Sequence, residues 1–181
     1  MVDPTQNTAE KPISRTVEEI TKEAQRIEES ACLTSKAHFI ASQAWQMFHY
    51  VLGLPMLFIA SVLGATAYAV LDKDNHYAGI LSLILALLSA LMTFLNPNEK
   101  AGNHLNAGNS YGSLENEVRI FRTIECWQNE LEAILTQRIK GFSDKRCQLN
   151  ASSPKVPWLS YVCAKIGIWL GEASYKVDGK K

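Results

Sequence analysis

The apolar positions of the chain are concentrated in a central block between two polar arms. Tyr50–Leu71 is a run of 22 residues without Asp, Glu, Lys, Arg or His, and Tyr77–Leu95 is a second such run of 19. At about 1.5 Å per helical residue, each run reaches roughly 30 Å, the thickness of the hydrocarbon core of a bilayer. The ten Leu, Ile, Val and Phe residues of each run favour insertion by on the order of 3 to 6 kcal/mol. The pattern predicts two transmembrane helices, over 50–71 and 77–95.

The segment between the two runs is short. It comprises only Asp72–His76, so the two helices are predicted to be antiparallel, with both arms on one side of the membrane. Near the membrane the arms carry Lys36 and Lys100, and the connecting segment carries Lys73. Because an excess of positive charge marks the cytoplasmic side, both arms are predicted to be cytoplasmic. A hairpin buried in a soluble bundle is disfavoured, because both runs are apolar on all sides and few other apolar helices are present to cover them.

A stripe of small and hydroxyl residues runs along the second span. Its members recur at steps of three and four and share one side of a helix: Gly79, Ser82, Ala86, Ser89 and Thr93. Small residues let two helices approach closely, and the first span offers a matching set, Ala60, Gly64 and Ala67. Hydroxyl groups also suit a water-filled passage. The stripe is therefore predicted either to pack helices or to line a pore, and in an oligomer it can do both.

The N-terminal arm is predicted to be one long helix over 14–48. Residues 1–13 contain two prolines and no apolar periodicity, and we expect them to be disordered. Thr16 followed by Glu19 is typical of a capping box. From there, residues recur at alternating steps of three and four, which predicts a helix with a coiled-coil-like seam. The seam comprises Val17, Ile20, Ala24, Ile27, Ala31, Thr34, His38, Ala41, Trp45 and Phe48.

The arm after the second span is predicted to be a return helix over 97–140. Asn96, Pro97 and Glu99 supply an N-cap, a proline at the first helical position and an acid at the third. The Gly- and Asn-rich stretch 100–113 weakens the helical prediction, which recovers from Leu114. Gly141 and the polar segment after it are predicted to end this helix; that segment contains Lys145, Asn150, Ser152, Ser153 and Pro154.

The C-terminal tail, 141–181, contains a third apolar segment, which is predicted to form an amphipathic helix over 157–172. One arc of that helix gathers Trp158, Leu159, Val162, Cys163, Ile166, Trp169 and Leu170. Lys165 offsets the gain from the apolar residues, so the segment is not expected to span a membrane. Two placements remain open: the helix lies in the membrane interface, or it docks on the other cytoplasmic helices.

The overall composition argues against several classes of protein. The 18 Lys and Arg residues are balanced by 18 Asp and Glu, whereas a nucleic-acid binder needs an excess of positive charge, so no nucleic-acid partner is predicted. The four cysteines and four histidines are scattered, without a Cys-x-x-Cys motif or a helical metal-binding pair, so neither a metal nor a cofactor is expected. No nucleophile elbow or phosphate-binding loop is present, so we do not expect an enzyme.

Several short motifs are distributed over the two arms and the start of the first span. The N-terminal arm carries KAHF, Lys36–Phe39, and the span opens with LGLP, Leu52–Pro55. The other motif residues, one in the first arm and the rest in the return helix, are Trp45, His104, Tyr111, Leu114, Arg119 and Arg122. Over residues 13–140 the chain resembles the SLATT family, the SMODS and SLOG-associating two-transmembrane effector domains of prokaryotic conflict systems.

The resemblance implies an anti-phage effector that oligomerises and forms a pore in the inner membrane of a prokaryote. It implies a trigger, either a nucleotide second messenger or a partner sensor. Because no large sensor domain is fused and only 40 residues follow Gly141, sensing is expected in trans or in the helical arms. The motif residues of the arms are expected to serve in cytoplasmic assembly: His38, Trp45, His104, Tyr111, Leu114, Arg119 and Arg122.

The sequence thus predicts an all-α integral membrane protein with a two-helix transmembrane hairpin and long cytoplasmic helices. Two spans cannot enclose a channel, so a pore requires a homo-oligomer in the bilayer, for which the heptad seam offers an assembly surface. The alternative function is a non-conducting anchor or scaffold, which holds a partner protein at the membrane through the cytoplasmic helices.

Overall fold

A computed structural model describes residues 14–69, 76–128 and 130–172. Every regular element in these ranges is helical, which confirms the all-α fold class. The elements are α1 (Arg15–Ala69), α2 (His76–Leu95), α3 (Pro97–Thr123), a 3-10 helix (Glu125–Trp127), α4 (Glu132–Ser152) and α5 (Trp158–Trp169). The predicted disordered lead, most of the predicted turn between the spans and the last part of the tail lie outside the described residues.

α1 is one uninterrupted helix of 55 residues that joins the N-terminal arm to the first apolar run. Pro55 lies inside it without ending it. At the start of the helix, the Thr16 N–H donates to Ser14 Oγ at 3.2 Å, so Ser14 is the capping residue. The predicted capping box of Thr16 and Glu19 is therefore wrong, because the helix begins before Thr16.

A single residue, Asn96, connects α2 to α3. Its backbone is left-handed, with φ 41° and ψ 58°, a conformation that asparagine adopts more readily than most residues. Pro97 follows at the first position of α3, as the sequence predicted. We call α2 and the part of α1 from Tyr50 onward the hairpin, and the remainder of α1 with α3, α4 and α5 the bundle.

The bundle has a hydrophobic core at the end far from the hairpin. There α3 runs antiparallel to α1, and α4 packs against both helices. The buried residues of this distal core are Ile20, Ala24, Ile27, Ala31, Leu114, Val118, Phe121, Cys126, Leu135 and Ile139. The first half of the predicted seam of α1 therefore meets α3 and α4 of the same chain.

Between the distal core and the hairpin, the contact of α1 with α3 is built from small and polar residues. Ser35 Oγ donates to the Gly108 carbonyl at 2.8 Å, and Ser42 Oγ donates to the Ala101 carbonyl at 2.9 Å. A Cβ added at Gly108 would lie 2.9 Å from a phenylalanine ring of α1, so glycine permits this close approach. The stretch 100–113 is helical throughout, because this packing outweighs the low helix propensity of glycine.

The predicted return helix over 97–140 is wrong in its length, because the structure divides it in two. α3 ends at Thr123, and the backbone of Ile124 departs from helical geometry, with φ −120° and ψ −58°. The 3-10 helix then turns the chain so that α4 packs back on the bundle, and Cys126 enters the core. Gly141 does not end a helix either: α4 continues to Ser152, because the turns after the glycine still pack on the core. The helix ends within the polar segment that was predicted together with Gly141.

An ion pair closes one side of the contact between α1 and α3. Arg122 donates from Nε and Nη2 to the Glu28 carboxylate at 2.6 and 3.3 Å, and both side chains are partly buried. We expect Arg122→Ala to lower the free energy of unfolding by about 1 to 2 kcal/mol, measured by urea denaturation in detergent. The charge swap Glu28→Arg with Arg122→Glu should recover most of that loss. If the double variant is as unstable as Arg122→Ala, the ion pair does not stabilise the fold.

Candidate functional site: the hairpin and a buried histidine pair

The hairpin contains two helices that are long and apolar enough to cross a membrane. No residue of either apolar window is buried inside the chain. Large side chains such as Phe58 and Leu83 are 72% and 73% exposed. Soluble monomers rarely expose continuous apolar surface of this extent. Both helices are therefore candidate spans, and the chain does not wrap them in its own soluble bundle.

α2 packs on α1 through its larger apolar residues. The less exposed residues of α2 recur at every third or fourth position: Ala78, Leu81, Leu85, Leu88, Met92 and Leu95. The less exposed residues of α1 in the same part of the hairpin include Met56, Ile59 and Leu63. Because α1 and α2 are in contact, these two rows form the interface of the hairpin.

The small-residue stripe of α2 lies outside that interface. Each of its members directly follows a residue of the leucine-rich row, which turns it about 100° away from α1. All five are exposed: Gly79, Ser82, Ala86, Ser89 and Thr93. Ala60 and Gly64 of α1 are exposed too, and a Cβ added at Gly64 or Gly79 would meet nothing within 4 Å. Ala67 belongs to α1, but its side chain lies outside the described residues.

Two hydroxyl groups of the stripe, those of Ser82 and Thr93, have partners within their own helix. Ser82 Oγ donates to the Ala78 carbonyl at 2.7 Å, and Thr93 Oγ1 donates to the Ser89 carbonyl at 3.0 Å. Such hydrogen bonds satisfy a hydroxyl where water is absent. The stripe is therefore chemically suited to face another helix, lipid or water. Its small residues do not serve the packing of α2 on α1, because they lie outside that interface.

A second feature is a pair of buried histidines in the contact of α1 with α3. His38 Nδ1 and His104 Nδ1 are 2.9 Å apart, and the two side chains are 1% and 5% exposed. One ring donates its Nδ1–H and the other accepts. The Tyr111 ring stacks on His38, with centroids 5.6 Å apart and planes at 14°, and its hydroxyl donates to Asn150 Oδ1 at 2.7 Å. Polar contacts thus join α1, α3 and α4.

Burial changes the pKa of each ring in this cluster. It lowers the pKa of His38 from 6.5 to about 4, with a smaller contribution from the charge of His104. Burial also lowers the pKa of His104 and raises the pKa of the Tyr111 hydroxyl. All three groups are therefore neutral at pH 7, and the histidine pair shares a hydrogen bond without net charge.

The predicted assembly residues divide into two groups. Four of them are buried within the chain and hold α1 on α3: His38, His104, Tyr111 and Leu114. A role for these four in contacts between copies stays a prediction, and in this fold they face the interior of one chain. The other three are partly exposed. Arg122 pairs with Glu28, Arg119 donates to Asn116 Oδ1 at 3.3 Å, and Trp45 has Lys100 Nζ 4.5 Å from its ring centroid.

Three polar residues of this region were not predicted as part of the site: Ser35, Ser42 and Asn150. The predicted seam passes through Thr34, whereas the structure buries Ser35. Ser35, His38 and Ser42 are separated by three and four residues and share one side of α1, which is a signal available in the sequence. Asn150, in contrast, lies in the part of α4 after Gly141, which was not predicted to be helical.

α5 docks on α1, which is one of its two predicted placements. It does so through its small residues Ser160, Ala164 and Gly167, which are buried. Lys36 Nζ of α1 lies 3.4 Å from Glu172 Oε2, just past the end of α5. The predicted arc of large residues is turned outward instead, with Trp158 and Trp169 75% and 83% exposed.

Comparison with known proteins gives no relative for this chain. No family model, no curated protein and no solved structure matches it. The resemblance to the SLATT family therefore rests on the motif residues alone. Within the described ranges, no group of three or more His, Cys, Asp or Glu side chains is arranged to hold a metal ion.

Proposed function

We propose that the chain is a subunit of a pore-forming effector in the inner membrane of a prokaryote, which depolarises or permeabilises that membrane when triggered. The observation that carries the proposal is the exposed stripe of α2. Ser82, Ser89 and Thr93 lie on a helix that is otherwise leucine-rich, and they are not used in packing within the chain. A ring of copies brings such stripes together around one axis, where hydroxyl groups line a passage.

The orientation of the proposed effector follows from its charges. Lys36 and Lys100 lie in the parts of the bundle near the hairpin, which favours a cytoplasmic bundle. In that orientation, a nucleotide messenger or a partner sensor from an anti-phage system has access to α3, α4 and α5. The resemblance to the SLATT family supports this role.

Conduction by the purified protein tests the proposal. We expect the chain to remain in membranes washed with alkaline carbonate, and to release a small fluorescent dye from liposomes into which it is reconstituted. Induced expression should also depolarise cells that carry a potential-sensitive dye. The control is the same chain without the hairpin segment 50–95. Intact liposomes and an unchanged potential under full activation, in preparations where cross-linking shows oligomers, would contradict the proposed pore.

A non-conducting anchor is the second candidate function. It is favoured by the hydroxyl groups of Ser82 and Thr93, which donate within α2 and so need no water. In that case the stripes pack helices, and the exposed tryptophans of α5 hold a partner protein. Stable insertion without conductance, together with recovery of one defined partner, would favour the anchor.

A further inference from the structure

The contact of α1 with α3 is weaker next to the hairpin than in the distal core. In the distal core large apolar side chains are buried, whereas the residues buried near the hairpin are His, Tyr, Ser, Pro, Ala and Gly. Helix contacts that bury little apolar surface open at a lower free-energy cost than hydrophobic cores. α1 and α3 are therefore expected to separate first in this segment.

The two histidines lie at the centre of this segment, between the Ser35 and Ser42 hydrogen bonds. The pair needs one Nδ1 with a proton and one without, since the two atoms are 2.9 Å apart. When both rings are fully protonated, both Nδ1 atoms are donors and two like charges face each other. The attraction that holds the helices together then becomes a repulsion.

The surrounding charges do not offset that repulsion. Among the described residues, the only charged or titratable group that alters the pKa of His38 is its partner histidine. On α3, Tyr111 stacks on His38, and Arg146 on α4 influences Tyr111. Between α1 and α5, the Lys36 ammonium is already paired with Glu172. Within the described ranges, no carboxylate is therefore placed to offset the charge of a fully protonated histidine pair.

Both rings are connected to the hairpin by continuous or nearly continuous helix. α1 runs without a break from His38 to Tyr50, about 18 Å along its axis. His104 lies about 11 Å along α3 from its first residue, Pro97, and the single residue Asn96 joins α3 to α2. Separation of the two rings is therefore expected to displace α1 of the hairpin directly and α2 through Asn96.

We propose that the His38–His104 pair is an acid-released latch, which holds α1 on α3 at neutral pH and lets the hairpin rearrange when both imidazoles take up protons. The step is the addition of protons from the surrounding water to ring nitrogens, and no covalent bond between heavy atoms changes. This regulation rests on the proposed function, because the released hairpin needs a conducting assembly to have an effect.

The pH range of the latch follows from the direction in which burial shifts the pKa of His38. Separation exposes the rings to water and returns the pKa of His38 from about 4 toward 6.5. The separated state then binds more protons, so the contact has its full stability above about pH 6.5 and loses it as the pH falls. From pH 7.5 to 5.5, His38 alone shifts the equilibrium toward separation by about tenfold, and His104 adds to this.

Distance measurements test the latch without relying on conduction. Spin labels at Gln43 and Asn103, both exposed, report the separation of α1 and α3 in a chain whose native cysteines are replaced by serine. In lipid nanodiscs, we expect the population with a longer distance to rise about tenfold or more between pH 7.5 and 5.5. The variant His38→Gln with His104→Gln keeps a hydrogen-bonding pair that cannot titrate, and its distances should not change with pH.

Ser42→Ala is the matched control, because it removes a neighbouring hydrogen bond but no titratable group. It should raise the separated population at both pH values and keep the tenfold response. Unchanged distances in the parent chain, or a pH response that persists in the double glutamine variant, would overturn the latch. Liposomes that release dye at neither pH, while the distances still respond, would overturn the proposed pore and leave the latch standing.

Discussion

Replacing Ser82 and Ser89 with leucine should reduce dye release from reconstituted liposomes by about 100-fold or more. Both side chains lie on the exposed stripe of α2, two helical turns apart. In the proposed ring of copies, a leucine at each site places a double apolar collar in the passage, and such constrictions exclude water and ions. The measurement is the initial rate of dye release at matched amounts of inserted protein.

Two further variants separate pore lining from helix packing. Leu87→Phe adds bulk to the other exposed side of α2, and its dye release should stay within about twofold of the parent. Ser82→Ala with Ser89→Ala keeps both residues small but removes their hydroxyl groups. If the alanine variant conducts normally while the leucine variant no longer forms cross-linked oligomers, the stripe packs helices between copies, and the lining role is contradicted.

Phe121→Ala should lower the free energy of unfolding of the bundle by about 3 to 5 kcal/mol. Phe121 is fully buried at 0% exposure, and its ring meets Phe142 edge-on with centroids 5.3 Å apart. The guanidinium of Arg138 lies 5.6 Å from the same ring. Removing the ring leaves a cavity where α1, α3 and α4 meet, because helices fixed by their other contacts close it only in part.

Denaturant unfolding in mild detergent, followed by tryptophan fluorescence, measures this loss. Phe94→Ala is the matched control: it removes the same ring from the hairpin, where the side chain is 87% exposed. The bundle of that variant should be as stable as the parent. Equal losses from the two substitutions would show that the distal core is not the part of the fold that stabilises the bundle.

The distal core and the histidine pair have different roles in the same helix contact. Ile27, Leu114 and Phe121 keep α1 and α3 together at the far end through apolar burial, which does not depend on pH. The histidine pair lies nearer the hairpin, where polar and small residues form the contact. The distal core holds α1 on α3 at one end, and the histidine pair can gain protons near the hairpin. The contact can therefore open near the hairpin while the distal core stays folded.

Much of this protein is determined by its sequence alone, because the signals involved are local. The two uncharged runs are long enough to cross a bilayer whatever surrounds them, and Asn96 followed by Pro97 fixes where α3 begins. The periodic apolar residues of the N-terminal arm determine a long helix in the same way. The bounds of α5 were predicted to within a few residues, because the apolar periodicity of that segment is also a local signal.

Only the tertiary structure decided which residues meet. The sequence of α2 has a leucine row and a small-residue stripe side by side, and packing on α1 selected the leucine row. The break at Ile124 and the continuation of α4 through Gly141 depend on the distal core, whose apolar burial outweighs local helix preference. The 2.9 Å approach of His38 to His104 depends on the register of two helices that are far apart in sequence. Periodicity shows which residues share one side of a helix, but the register between helices is set by side-chain packing across the whole contact.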